Sequence, residues 1–117
     1  MDGRIYYLRE QIANNLSHHW TIKEMAEAVE LSAPHFQKLF KTNVGSTPII
    51  YLRELRLAKA LERLENSFCQ LKQIGIEIGM ADDSHFTRDF KSKFGVTPTE
   101  YRKQYWEKIQ TEASPVN

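Results

Sequence analysis

Gln37, Lys38 and Lys41 lie within about one helical turn of each other, and Pro34 lies one turn earlier. On a helix that spacing places all four on one stripe. The chemistry open to such a stripe is hydrogen bonding to base edges. A glutamine pairs bidentately with adenine, and a lysine or arginine with guanine, in the major groove of DNA. Fifty residues later, Thr87, Arg88 and Lys91 repeat the spacing. A threonine bonds a base edge or packs on the thymine methyl. Lys41 and Lys91, further along, suit phosphates, which position a protein without specifying sequence. A solvated helix face carries the same residue types, so the stripe alone does not decide.

Other chemistries find less support. His35 and His85 belong to separate segments, so a metal site is not expected, and no cofactor is implied. Cys69 stands alone and lacks the setting of a low-pKa nucleophile, with only Lys72 nearby. No glycine-rich phosphate loop, HExxH or GxSxG motif is present. An enzyme would need convergent titratable groups, and no such set stands out. His18 and His19 read as exposed loop residues.

The chain has 117 residues, 41% hydrophobic and 26% charged, enough for one domain or two very small ones with a real core. No apolar run approaches the roughly 20 residues of a membrane helix. Arg4, Arg9 and Glu10 near the N-terminus are unlike a secretory signal. A single cysteine allows no internal disulfide and fits a reducing cytoplasm. The net charge is only +1, but residues 32–60 carry Lys38, Lys41, Arg53, Arg56 and Lys59 against Glu54 alone.

An internal repeat organises the chain. Residues 35–51, HFQKLFKTNVGSTPIIY, align without a gap on 85–101, HFTRDFKSKFGVTPTEY, and eight of the seventeen positions are identical. Upstream the offset falls to 49: Ile22, Met25, Ala26 and Val29 match Leu71, Ile74, Gly75 and Ile78. The one-residue difference marks a loop between two helices in each copy.

Each copy reads as a short helix, a turn and a second helix. Thr21 and Glu24 form a capping box that starts a helix at Ile22, with Trp20 stapled onto Met25. Glu30-Leu31 is the turn. Ser32 caps the next helix, Pro34 is tolerated in its first turn, and Gly45 ends it. Phe36, Leu39, Phe40 and Val44 line its inner face. Thr47-Pro48 opens a long helix to about Asn66. Its apolar positions Ile50, Leu52, Leu55, Leu57, Ala58, Leu61 and Leu64 are too widely spread for one contact face, so it should pack against both copies. The second copy runs from Leu71 to Gly79, turns at Met80-Ala81, and caps its second helix with Asp82 or Asp83. That helix carries Phe86, Phe90 and Phe94 inward and ends at Gly95. Thr97, Pro98 and Glu100 open the last helix, which runs to about Ile109, where Tyr105 and Trp106 close the second core. Ile5, Leu8, Ile12 and Leu16 give a helix ahead of both copies. The expectation is an all-α fold of seven helices. A first helix-turn-helix subdomain spans 1–47, a central linker helix 48–66, a second subdomain 67–109 and a frayed tail 110–117.

The sequence resembles the DNA-binding domain of the AraC/XylS family of bacterial transcription regulators over about residues 4–106. IKEMAEAVELS, HFQKLFK, LRELRLAKALERL and, most closely, IGIEIGMADDSHFTRDFKSKFGVTPTEYR carry the resemblance. It departs at Gly75, where the family signature usually has alanine, at Met80, where it has phenylalanine, and at Glu30, where glycine is frequent. Asp89, matching Leu39, is expected to meet a different environment. The resemblance implies two recognition helices entering nearby major grooves on one face of the duplex. Ala33, Pro34, Gln37 and Lys38 would read bases in the first unit, and Asp83, Ser84, Thr87 and Arg88 in the second. Ser32, His35, Lys41, His85 and Lys91 would touch phosphates. Arg56 either joins them or braces the two units. The expected function is sequence-specific transcription regulation, as an activator, by a cytoplasmic bacterial protein that is nucleoid-associated when bound. Double-stranded DNA is the partner, with RNA polymerase a further one. The chain reads as the C-terminal part of a protein with a sensor or receiver domain ahead of it, rather than a stand-alone regulator. The alternative is a helical protein-interaction module that keeps the fold without specific DNA binding.

Overall fold

The computed structural model describes residues 1–113. Among them are seven α-helices and no strand: α1 (Gly3–Ala13), α2 (Ile22–Ala28), α3 (Ala33–Val44), α4 (Pro48–Asn66), α5 (Leu71–Ile78), α6 (Asp83–Phe94) and α7 (Pro98–Ala113). The chain divides into two compact units, Met1–Arg56 and Leu57 onward, so the division falls inside α4.

In the first unit, Ile5, Leu8 and Ile12 of α1 pack with Met25, Ala26, Phe36, Phe40 and Leu52. In the second, Leu57, Ala60 and Leu64 pack with Ile74, Ile78, Phe86 and Phe90. Helix α4 thus supplies both cores, through a narrower set of positions than its apolar content suggests. Ile50 and Ala58 are exposed. Ile50 occupies the place of Glu100 in the repeat, which is also exposed. Tyr105 and Trp106 are half-buried, and Trp106 stacks on Phe68 with ring centroids 5.1 Å apart.

The helix ends follow local chemistry. The Asp2 carboxylate caps α1 by accepting from Arg4 N at 2.8 Å, which moves the helix start to Gly3. Leu16 lies beyond that helix, half-buried against the first core. Thr21 Oγ1 accepts from Glu24 N at 3.1 Å, but the Glu24 carboxylate turns to His18 Nε2 at 2.6 Å, so only half of that capping box forms. The box of α7 is complete: Thr97 N donates to Glu100 Oε1 at 3.1 Å, and Glu100 N to Thr97 Oγ1 at 3.2 Å. Hydrogen bonding from Thr97 to the carboxylate holds Glu100 below its ordinary pKa, so its contribution to stability is present at neutral pH and is lost as pH falls through the lowered value. Helix α7 extends to Ala113 rather than ending near Ile109, because no breaker intervenes before Pro115. The tail expected to fray over 110–117 is therefore helical to Ala113, and its remainder, 114–117, lies outside the described residues.

Both turns between the paired helices pass through the left-handed region, at Glu30 (φ 58) and Gly79 (φ 84). The turn expected at Met80-Ala81 thus begins one residue earlier, and Gly79 caps α5 rather than ending it as a helical residue. These two residues match under the offset of 49, so the first unit holds a glutamate where the second has the unstrained residue. Replacing Glu30 by glycine should raise the stability of the first unit by about 1 kcal/mol. Urea unfolding reads the change, and a loss of stability would contradict the left-handed turn. Gly75 answers a different need. A Cβ there would sit 2.6 Å from Met80 O, and the turn closes with Met80 N 2.7 Å from Gly75 O. Its counterpart Ala26 carries a Cβ, and the matching bond from Leu31 N is 3.0 Å.

Candidate nucleic-acid interface

The candidate interface consists of the outer faces of α3 and α6. Their N-termini are held alike. Ser32 Oγ accepts from His35 N at 3.4 Å, and the Asp82 carboxylate accepts from His85 N at 3.0 Å. Asp82, not Asp83, is therefore the cap. That bond, with the nearby His85 and Arg88 charges, lowers the Asp82 pKa. Both helices end on left-handed glycines, Gly45 and Gly95. Buried Phe36 and Phe40 lock the back of α3, and Phe86 and Phe90 the back of α6.

With their apolar sides fixed inward, the helices present the polar residues outward. Ser32, Pro34, His35, Gln37, Lys38 and Lys41 are all exposed, and Ala33 is half-buried. Asp83, Ser84, His85, Thr87, Arg88 and Lys91 are all exposed on α6. The structure thus gathers each unit's candidate residues on one helix. Arg88 keeps 68% of its side chain in solvent, with Nε 3.7 Å from Asp89. Asp89 is half-buried, as is its counterpart Leu39, and its carboxylate meets Arg88 where Leu39 packs on the core.

Arg56 has an internal role. Its Nε donates to Leu16 O at 3.0 Å and its Nη2 to His18 O at 2.8 Å, and burial lowers its pKa. It ties α4 to the loop between α1 and α2, inside the first unit. His18, expected to be an exposed loop residue, is exposed, and it also pairs with Glu24 and lies edge-on to Trp20 at 4.7 Å.

The repeat also buttresses α3 and α6 with a tyrosine each. Tyr51 lies edge-on to Phe40 at 5.5 Å and accepts from Arg9 Nε at 3.3 Å. Tyr101 lies edge-on to Phe90 at 6.0 Å and donates to the Glu65 carboxylate. Burial and that carboxylate push the Tyr101 pKa up to about 12. Sequence reasoning aligned these tyrosines without assigning them a task. It also missed Arg102, whose guanidinium gathers the carbonyls at the end of α4. The partners are 33 to 39 residues away, beyond any spacing rule.

A short helix, a tight turn and a second helix with an exposed polar face make a helix-turn-helix, and this chain carries two. The family model described as a helix-turn-helix domain matches residues 25–104. The chain is 32% identical over 95 residues to the transcriptional activator RclR of Escherichia coli K12, an alignment covering 81% of this chain and 34% of that protein. Its fold matches the DNA-binding domain of AdpA, solved with a target DNA, with a TM-score of 0.87 at 20% identity, over 90% of this chain and 95% of that one. A transcriptional regulator from Chromobacterium violaceum with an AraC-type DNA-binding domain matches with a TM-score of 0.78 at 27% identity, over 87% and 91% of the two chains. The chain belongs to the AraC-type helix-turn-helix family. It spans about a third of the length of the curated relatives it matches. Among the described residues, no helix is long and apolar enough to cross a membrane.

Proposed function

We propose that this chain is the DNA-binding part of a transcription activator, inserting α3 and α6 into nearby major grooves of duplex DNA. The observation that carries this reading is the matched pair of exposed stripes on two helices built alike. Ala33, Pro34, Gln37 and Lys38 read bases from α3, and Asp83, Ser84, Thr87 and Arg88 from α6. Ser32, His35, Lys41, His85 and Lys91 hold phosphates. Arg56 is left out of the set because its Nε and Nη2 serve the α1–α2 loop. The functional division is 1–47, 48–66 and 67–109. The relatives' greater length supports a sensor or receiver domain elsewhere in the intact protein, and the activator reading makes RNA polymerase a further partner. Such a protein works in the bacterial cytoplasm, on the nucleoid.

Two substitutions test the assignment. Arg88→Ala should cost ~1–3 kcal/mol against the preferred sequence, with relaxed selectivity at one base position. Lys41→Ala should weaken every sequence alike and lower the salt slope of binding by about one. Both are read by fluorescence anisotropy on matched and scrambled duplexes. Unchanged affinity and preference in Arg88→Ala would remove α6 from the reading surface.

A further inference from the structure

We infer that the two helices read unlike boxes sharing one guanine, and that Asp83 sets the second box apart by selecting cytosine. This rests on the DNA-reading function proposed above and deepens it.

The repeat makes the comparison position by position. Both helices have 12 residues, a side-chain cap onto the third residue and a left-handed glycine at the end. Differences in reading therefore come from side chains. Lys38 and Arg88 share a position, and both donate to guanine O6 and N7. The other pairs diverge: Gln37 against Thr87, Pro34 against Ser84, and Ala33 against Asp83. Gln37 suits adenine, and Thr87 the thymine methyl or a base edge. The largest change of chemistry is from the Ala33 methyl to the Asp83 carboxylate.

That carboxylate is available. The neighbouring Asp82 is engaged by His85 N, whereas Asp83 is exposed and has no side-chain partner among the described residues. An ionised carboxylate only accepts hydrogen bonds. In the major groove, guanine presents acceptors at N7 and O6, and thymine an acceptor and a methyl. Adenine couples its N6 donor to an N7 acceptor, which repels the second carboxylate oxygen. Cytosine offers its N4 donor without that acceptor. Asp83 precedes Thr87 by four residues, which puts the two on one stripe of α6, with Arg88 next to Thr87. The second box should thus hold a cytosine that the first lacks, in addition to the guanine they share.

The test is selection from random duplex DNA with three proteins. The unaltered chain should enrich two unlike boxes with one guanine in common. Asp83→Ala should lose the cytosine preference about 10-fold while keeping the guanine. The variant Ala33→Asp, Pro34→Ser, Gln37→Thr and Lys38→Arg should convert the first box into a copy of the second. Circular dichroism checks that each remains helical, and all but the half-buried Ala33 are exposed positions. Two boxes with an unchanged cytosine in Asp83→Ala, or two identical boxes from the unaltered chain, would overturn the inference and leave the DNA-reading function standing. No enrichment by the folded, unaltered chain would overturn that function itself.

Discussion

Truncating Phe90 to alanine should lower the stability of the second unit by about 3–5 kcal/mol. The ring is fully buried and touches aromatic partners on three sides: Phe86 at 6.1 Å, Phe94 at 4.6 Å and Tyr101 at 6.0 Å between centroids. Removing it takes away the transfer free energy of the ring and leaves a cavity. The surrounding side chains cannot fill that cavity without leaving their own packing. The first unit has its own core around Phe36 and Phe40, so the loss should be confined to the second. Urea unfolding followed at the two tryptophans separates the outcomes, because Trp20 belongs to the first unit and Trp106 to the second. An early Trp106 transition with an unmoved Trp20 transition is expected. A shift of both together would show that the units unfold as one. At urea concentrations where only the second unit has melted, DNA binding should fall to that of α3 alone.

Arg102→Ala should cost the second unit about 3 kcal/mol, the upper part of the range for bonds to a charged donor. Its Nη1 donates to Cys69 O at 2.6 Å and its Nη2 to Ser67 O at 3.2 Å, with longer approaches to Leu64 O and Arg63 O. These carbonyls are the open end of α4 and the loop leading to α5. A cation there also meets the negative end of the helix dipole. Burial lowers the Arg102 pKa, but a guanidinium is not deprotonated in proteins, so the charge stays. Lysine would keep the charge but lose the fork that reaches several carbonyls at once. Arg102→Lys should therefore recover only part of the loss. Full recovery would mean that charge alone suffices at this helix end.

The parts of the fold that repeat or cap were legible in the residues. Gly45 and Gly95, and Thr47 and Thr97, could be placed because each serves partners within a turn or so of chain, and the four buried phenylalanines because their helical spacing recurs in both copies. The exposure of Gln37, Lys38, Thr87 and Arg88 followed from the phase of those phenylalanines. What escaped depends on distant partners or on competition. Arg56 and Arg102 reach carbonyls 33 to 40 residues away, and no local pattern announces that. Glu24 had two acceptable partners, its own cap and His18, and took His18. Ile50 looked like core by its type, while its phase, shared with Glu100, put it in solvent. The left-handed turn at Glu30 was legible through the resemblance, which often puts glycine there, and its counterpart Gly79 marks it as well.

The most direct measurement is selection of random duplex DNA by the unaltered chain at ~150 mM salt, where non-specific binding is weak. Enrichment of two short boxes at a fixed spacing is the result expected of two reading helices in one chain. A folded sample that enriches no sequence would contradict DNA reading by α3 and α6 and favour a helical protein-interaction module in its place.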